Sequence, residues 1–146
     1  MASKTKRGIC CVMSLLLLLS MTAWSGATVS AEESTIQPRY SYTNDTWTSI
    51  VESPSGTAVC DAEVLGYSGI TTRIHIKMEL QKFGTVKWET VASWESTVFT
   101  WYSTLSKTKE VTVSGLYRVK VTYTVYGGSD YEIITAYSGE EFITAS

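Results

Sequence analysis

The chain has 146 residues, a length that supports one domain with a modest core. With three basic residues assigned to an N-terminal leader, nine Lys and Arg stand against fourteen Asp and Glu, a net charge of −5 that argues against nucleic acid or an anionic membrane surface as a partner of the whole domain. Only Cys60 lies beyond that leader, and a lone cysteine cannot cross-link its own chain, so stability has to come from packing.

Lys4, Lys6 and Arg7 precede an apolar run over residues 9–19, and Val29-Ser30-Ala31 supplies small residues for cleavage. This is the pattern of a helical secretory signal peptide removed after Ala31, with Ala27 the alternative. Ser14, Ser20 and Thr22 interrupt the run before it reaches the about 20 apolar residues a membrane span needs. Cys10 and Cys11 leave with the leader. The expected organisation is a signal peptide over 1–31, a polar lead-in over 32–44 containing Pro38, Tyr40 and Tyr42, and a folded, secreted domain over 45–146.

A first short strand is expected over 46–52, after Asn44-Asp45-Thr46, which fits the N-glycosylation pattern and reads as a loop. Ser53-Pro54-Ser55-Gly56 is turn chemistry. The next strand, 57–66, turns Ala58, Cys60, Ala62 and Val64 inward, and their small size leaves room for a larger strand packed over them. The longest alternation covers 70–81: Ile70, Thr72, Ile74, Ile76, Met78 and Leu80 share one face only if the segment is a strand.

Phe83-Gly84-Thr85 leads into a strand over 86–95 that carries Trp88 and Trp94 and whose imperfect alternation suggests a bulge. Residues 97–103 are apolar on both parities and carry no periodic signal. A short strand over 109–113 is expected to lead into Ser114-Gly115 and then the cleanest strand of all, with Tyr117, Val119, Val121, Tyr123 and Val125 on one face and Arg118, Lys120, Thr122, Thr124 and Tyr126 on the other. Gly127-Gly128-Ser129-Asp130 is a hairpin signal, residues 131–137 return antiparallel, and Phe142 with Ile143 extends the edge.

About seven short strands with turns at intervals of roughly ten residues predict an all-β, antiparallel β-sandwich. The corner before Tyr117 makes it immunoglobulin-like. Such domains place a tyrosine near the start of the penultimate strand, with its hydroxyl bonded back to the preceding corner, two residues before the position that is a cysteine in antibody domains. Tyr117 and Val119 occupy those places, and Cys60 stands in the second strand, so the cross-sheet bridge is absent. The stretch from Ile74 to Phe83, Trp88 with Trp94, and Ser114 to Val121 before Gly127-Gly128-Ser129 also resemble a group of small secreted proteins of Gram-positive, gut-type bacteria with no assigned activity. The resemblance implies compartment and fold, and brings no catalytic motif.

Chemistry is sparse. His75 is the single histidine, flanked outward by Arg73, Lys77 and Glu79, and reads as a solvated cross-strand neighbour. No Gly-x-Ser-x-Gly elbow marks a nucleophile. Asp61 with Glu63 and Glu140 with Glu141 are the nearest carboxylate pairs, and neither follows a calcium-loop pattern. The expectation is therefore a non-catalytic domain with no metal and no cofactor.

Two surface patches remain as candidate binding sites. Arg73, Lys77, Arg118 and Lys120 form a basic stripe if their strands are sheet neighbours. Trp101 and Tyr102, on the segment of mixed parity, are the aromatics best placed for exposure and for stacking on sugar rings. Trp88 and Trp94 read as core or edge packing. Cys60 reads as a small buried hydrophobe. The functional expectation is an extracellular interaction module for a protein or glycan partner, with a carbohydrate-binding module and a small bacteriocin-like effector as alternatives.

Overall fold

The structure, a computed structural model, describes residues 39–146. The signal peptide and most of the lead-in fall outside the described residues. Eight strands follow in order: β1 (Thr43–Ser53), β2 (Thr57–Gly66), β3 (Arg73–Phe83), β4 (Trp88–Val98), β5 (Tyr102–Glu110), β6 (Gly115–Gly127), β7 (Asp130–Tyr137) and β8 (Glu141–Ile143). They form two antiparallel sheets, β1-β2-β5 and β4-β3-β6-β7, with β8 continuing along β6 beyond the end of β7. This is the antiparallel β-sandwich anticipated from the alternation, with eight strands where about seven were expected, and the described residues contain no helix.

The core forms where the two inward faces meet. Ala58, Cys60, Ala62 and Val64 of β2 lie beneath Ile74, Ile76, Met78 and Leu80 of β3 and the five inward residues of β6, all buried. Each large aliphatic there stabilises the fold by roughly 1.5–3 kcal/mol before chain entropy is counted. Beside this apolar packing, a polar tie joins the two sheets at a place other than the Val119 and Cys60 positions. The Tyr123 hydroxyl donates to the Trp47 carbonyl at 2.8 Å and lies 2.8 Å from Thr48 Oγ1, linking β6 to β1 through the core. Cys60 is fully enclosed, and burial, followed by the neighbouring Asp61 charge, pushes its thiol up to about 12.

The corner is present. Tyr117 Oη donates to the Val113 carbonyl at 2.6 Å, across the bend that delivers β6 to the larger sheet. The final hairpin turns at Gly128, whose φ of 69° suits the glycine the turn supplies.

Several boundaries differ from those expected. β3 begins at Arg73 because residues 67–71 form a turn, with Ile70 and Thr71 N–H groups donating to the Tyr67 carbonyl. Ile70 is consequently exposed and Thr72 lies outside the inward row. The expected strand over 109–113 is replaced by β5, which ends at Glu110, because a mostly Ser/Thr/Lys edge strand buries only Ser103 and Leu105. Asn44-Asp45-Thr46 is not a loop but part of β1, at a register shift between Thr43 and Asp45. The lead-in tyrosine Tyr42 packs against the core, and Glu132 of β7 accepts from the Ser41 and Tyr42 N–H groups at 2.9 and 3.0 Å.

Candidate functional site: the outer face of the larger sheet

β3 and β6 are neighbours, with Arg73 opposite Tyr126, Lys77 opposite Thr122, Glu79 opposite Lys120 and Gln81 opposite Arg118. Directly paired residues share a face, so Arg73, Lys77, Arg118 and Lys120 all stand on the outer surface of one sheet, as the basic stripe required. Pairing with β7 adds Tyr131, Ile133 and Tyr137 to that surface, all exposed.

β4 supplies the part that parity alone does not show. Leu80 pairs with Ala92 and Gln81 with Thr90, so Val91 is an extra residue and β4 bulges. Trp94, opposite the buried Met78, faces in and packs on the core. Trp88 is six residues away and would share that face in a regular strand, but the bulge turns it outward beside Phe83. The expectation that both tryptophans serve packing therefore divides: Trp94 packs in the core and Trp88 belongs to the outer face.

There Trp88 meets Arg118. The guanidinium carbon lies 4.2 Å from the Trp88 ring centroid and 4.5 Å from that of Tyr137, so rings from strands on either side both lie against it. Arg118 Nε donates to Gln81 Oε1 at 2.9 Å, which fixes rotation about the long axis. Gln81 is only 8% exposed beneath this stack. Among the described residues no carboxylate lies within ion-pairing distance of Arg118, Arg73 or Lys77, whereas Lys120 pairs with Glu79 at 3.6 Å. At the far end of the face Arg73 sits 3.7 Å from the Tyr126 ring centroid, and Tyr126 leans on Tyr131 with centroids 5.5 Å apart. The face thus presents two aromatic-stacked arginines about 26 Å apart along β6, at roughly 3.3 Å per residue.

His75 lies between them. Its Nδ1 is 2.8 Å from Thr97 Oγ1 and its Nε2 is 3.9 Å from Glu95 Oε2. The order hydroxyl, imidazole, carboxylate is that of a nucleophile relay, but the last separation exceeds a hydrogen bond and the cluster lies on an open sheet face. The β3 backbone between them is committed to ladders on both sides, leaving no donors there for an oxyanion. No group of three or more His, Cys, Asp or Glu is placed to hold a metal ion among the described residues.

The second predicted patch lies elsewhere. Trp101 and Tyr102, 41% and 42% exposed, occupy the β4-β5 connection and the first residue of β5, on the smaller sheet. Their ring planes are 53° apart with centroids at 6.4 Å, so one flat sugar ring cannot stack on both. A cleft of about 270 Å³, lined by Lys82, Val91, Lys109, Val111, Val113 and Tyr117 among others, opens where residues 109–113 leave the sheet. Reading that segment as a strand concealed it.

No family model and no curated protein matches the chain. Among solved structures, the chain is similar to a mutant beta-glucosidase from Listeria innocua crystallised with laminaribiose, at 18% identity and a TM-score of 0.38. That alignment covers 67% of this chain and 16% of the other, and a likeness of this size carries no argument about activity. No helix among the described residues is long and apolar enough to cross a membrane.

Proposed function

We propose that this protein is a secreted, non-catalytic interaction module that binds an extracellular partner through the outer face of the β4-β3-β6-β7 sheet. The observation that carries this reading is the Arg118 stack. A guanidinium held against Trp88 and Tyr137, with its Nε already bonded and no carboxylate of its own, is ordered before any ligand arrives, so binding costs it little further side-chain entropy. Arg, Trp and Tyr are also the residue types that dominate binding energy at protein interfaces. Tyr131, Ile133, Tyr137 and Phe142 add exposed apolar surface around it. The leader pattern of Lys4, Lys6, Arg7 and the following apolar run supports export.

The test is saturable binding of the purified protein to the surface of the cells that export it. Arg118→Glu is expected to weaken that binding by about tenfold or more. No saturable binding, or equal binding by the variant, overturns the proposal. Carbohydrate binding is a second reading, favoured by the adjacent exposure of Trp101 and Tyr102; given their tilt, each ring would stack on a separate sugar unit. Unchanged tryptophan fluorescence across a panel of soluble and cell-wall glycans removes it.

A further inference from the structure

The two outer faces of the sandwich carry opposite charge. On the smaller sheet the outward row of β2 is Thr57, Val59, Asp61, Glu63 and Leu65, since the alternate residues are its buried ones. Pairing places Asp45, Trp47 and Val51 of β1 and Tyr102 and Glu110 of β5 on the same surface. Among the described residues that surface holds Asp45, Asp61, Glu63 and Glu110 and no Lys or Arg; Lys107 and Lys109 alternate to the other side of β5. It is also apolar in part, with Trp47 54% and Val51 55% exposed. The larger sheet's outer face holds Arg73, Lys77, Arg118 and Lys120 against Glu79 and Glu95.

We propose that the partner of the basic, aromatic face is the acidic face of a second copy of this chain, so that copies stack sheet against sheet, head to tail. The inference rests on the binding face assigned above and names its occupant. Charges on the two surfaces match in spacing: Asp61 and Glu63 lie two residues apart on one strand, as Arg118 and Lys120 do, about 7 Å in each case. Exposed Trp47, Val51 and Tyr102 on one side meet Tyr131, Ile133 and Tyr137 on the other. Two sheets in face-to-face contact are a packing that β-structure already uses inside each domain.

The faces point in opposite directions, so each contact leaves one free face at either end. That arrangement is heterologous and propagates. The smaller face, three strands wide and nine residues long, covers on the order of 400 Å² per copy, which places the contact at the weak end of specific interfaces. Association is therefore expected only at high protein concentration, and salt should weaken it because the contact is largely between exposed charges.

Sedimentation velocity of the intact protein over a concentration series, at low and at high salt, reads this directly. The weight-average mass is expected to rise about twofold or more with concentration at low salt and to fall back at about 0.5 M salt. Two variants separate the faces without touching the core or the Arg118 stack: Arg73→Glu with Lys77→Glu, and Asp61→Lys with Glu63→Lys. Each alone should remain monomeric, and mixing the two should restore association. A wild-type monomer at every concentration, variants that associate like wild type, or a mixture that stays monomeric each overturns the proposal, as does one variant that still associates by itself, which would indicate a two-fold contact of like faces. Wild-type protein that stays monomeric yet binds cells through Arg118 would overturn self-association and leave the binding face standing. Protein that associates but binds cells independently of Arg118 would do the reverse.

Discussion

The Tyr117 hydroxyl donates to the Val113 carbonyl at 2.6 Å, four residues upstream, and this one bond joins the bend at Ser114-Gly115 to the strand that runs through the centre of the larger sheet. Tyr117 is 3% exposed and Val113 56%, so removing the hydroxyl gives up a part-buried hydrogen bond whose donor side is enclosed. Tyr117→Phe is expected to lower unfolding free energy by about 1–2 kcal/mol, measured by urea denaturation, with the m-value unchanged. An unchanged midpoint would show that the corner contributes nothing.

Cys60 gives the fold an alkaline limit. Burial raises its thiol from an ordinary 9.0 to about 12, so between those values the unfolded chain has lost a proton that the folded chain keeps. Stability is then fully present below pH 9 and drains as pH rises toward 12. Tyr123 and Tyr117, both raised above 10.0 chiefly by burial, add to the decline at its upper end. Urea titrations in steps to about pH 11 should show the fall, and Cys60→Ala should remove its onset near pH 9 while leaving the tyrosine part. The same variant should cost about 1 kcal/mol at neutral pH, from a small cavity.

Gly127 is required by Tyr42 and not by its own backbone angles. A Cβ there would run into the Tyr42 ring, which packs over the start of the final hairpin. Gly127→Ala is expected to lower the denaturation midpoint and to open the segment around residues 39–42 to proteolysis. In a Tyr42→Ala background the same substitution should be nearly silent, and a double-mutant cycle reads the coupling.

Arg118 is placed by its flat shape as much as by its charge. Lys cannot lay a plane against two rings or bond Gln81 through an Nε–H group in the same geometry. Arg118→Lys should therefore destabilise nearly as much as Arg118→Ala, by about 1 kcal/mol, and both should change near-UV circular dichroism from Trp88 and Tyr137. Full rescue by lysine would reduce the stack to a simple charge.

What could be read from the sequence follows burial. β2, β3 and β6 are central strands with one buried face, and there alternation of side chains is a direct image of structure; Ile74 to Leu80 and Tyr117 to Val125 were visible for that reason. β5 buries two residues at the sheet edge, so its Ser/Thr/Lys composition hides it. The basic stripe was legible once two long strands were taken as neighbours. The Arg118 stack was not, because it joins three segments, and Trp88 reaches it only through an extra residue that breaks parity on β4. Periodicity records which side a residue takes along one strand, not which residues of other strands stand beside it.

That extra residue has a further effect. β4 is an edge strand of eleven residues, long enough that its unpaired N–H and C=O groups form a template on which another chain could add a strand. The bulge at Val91, the fourth residue of the strand, interrupts this row and bends the strand, while Glu89 and Glu95 place like charges along it. Lateral growth into a continuous sheet is thereby discouraged at the same position that turns Trp88 toward Arg118. A single residue thus closes one route of association, edge to edge, and equips the other, face to face.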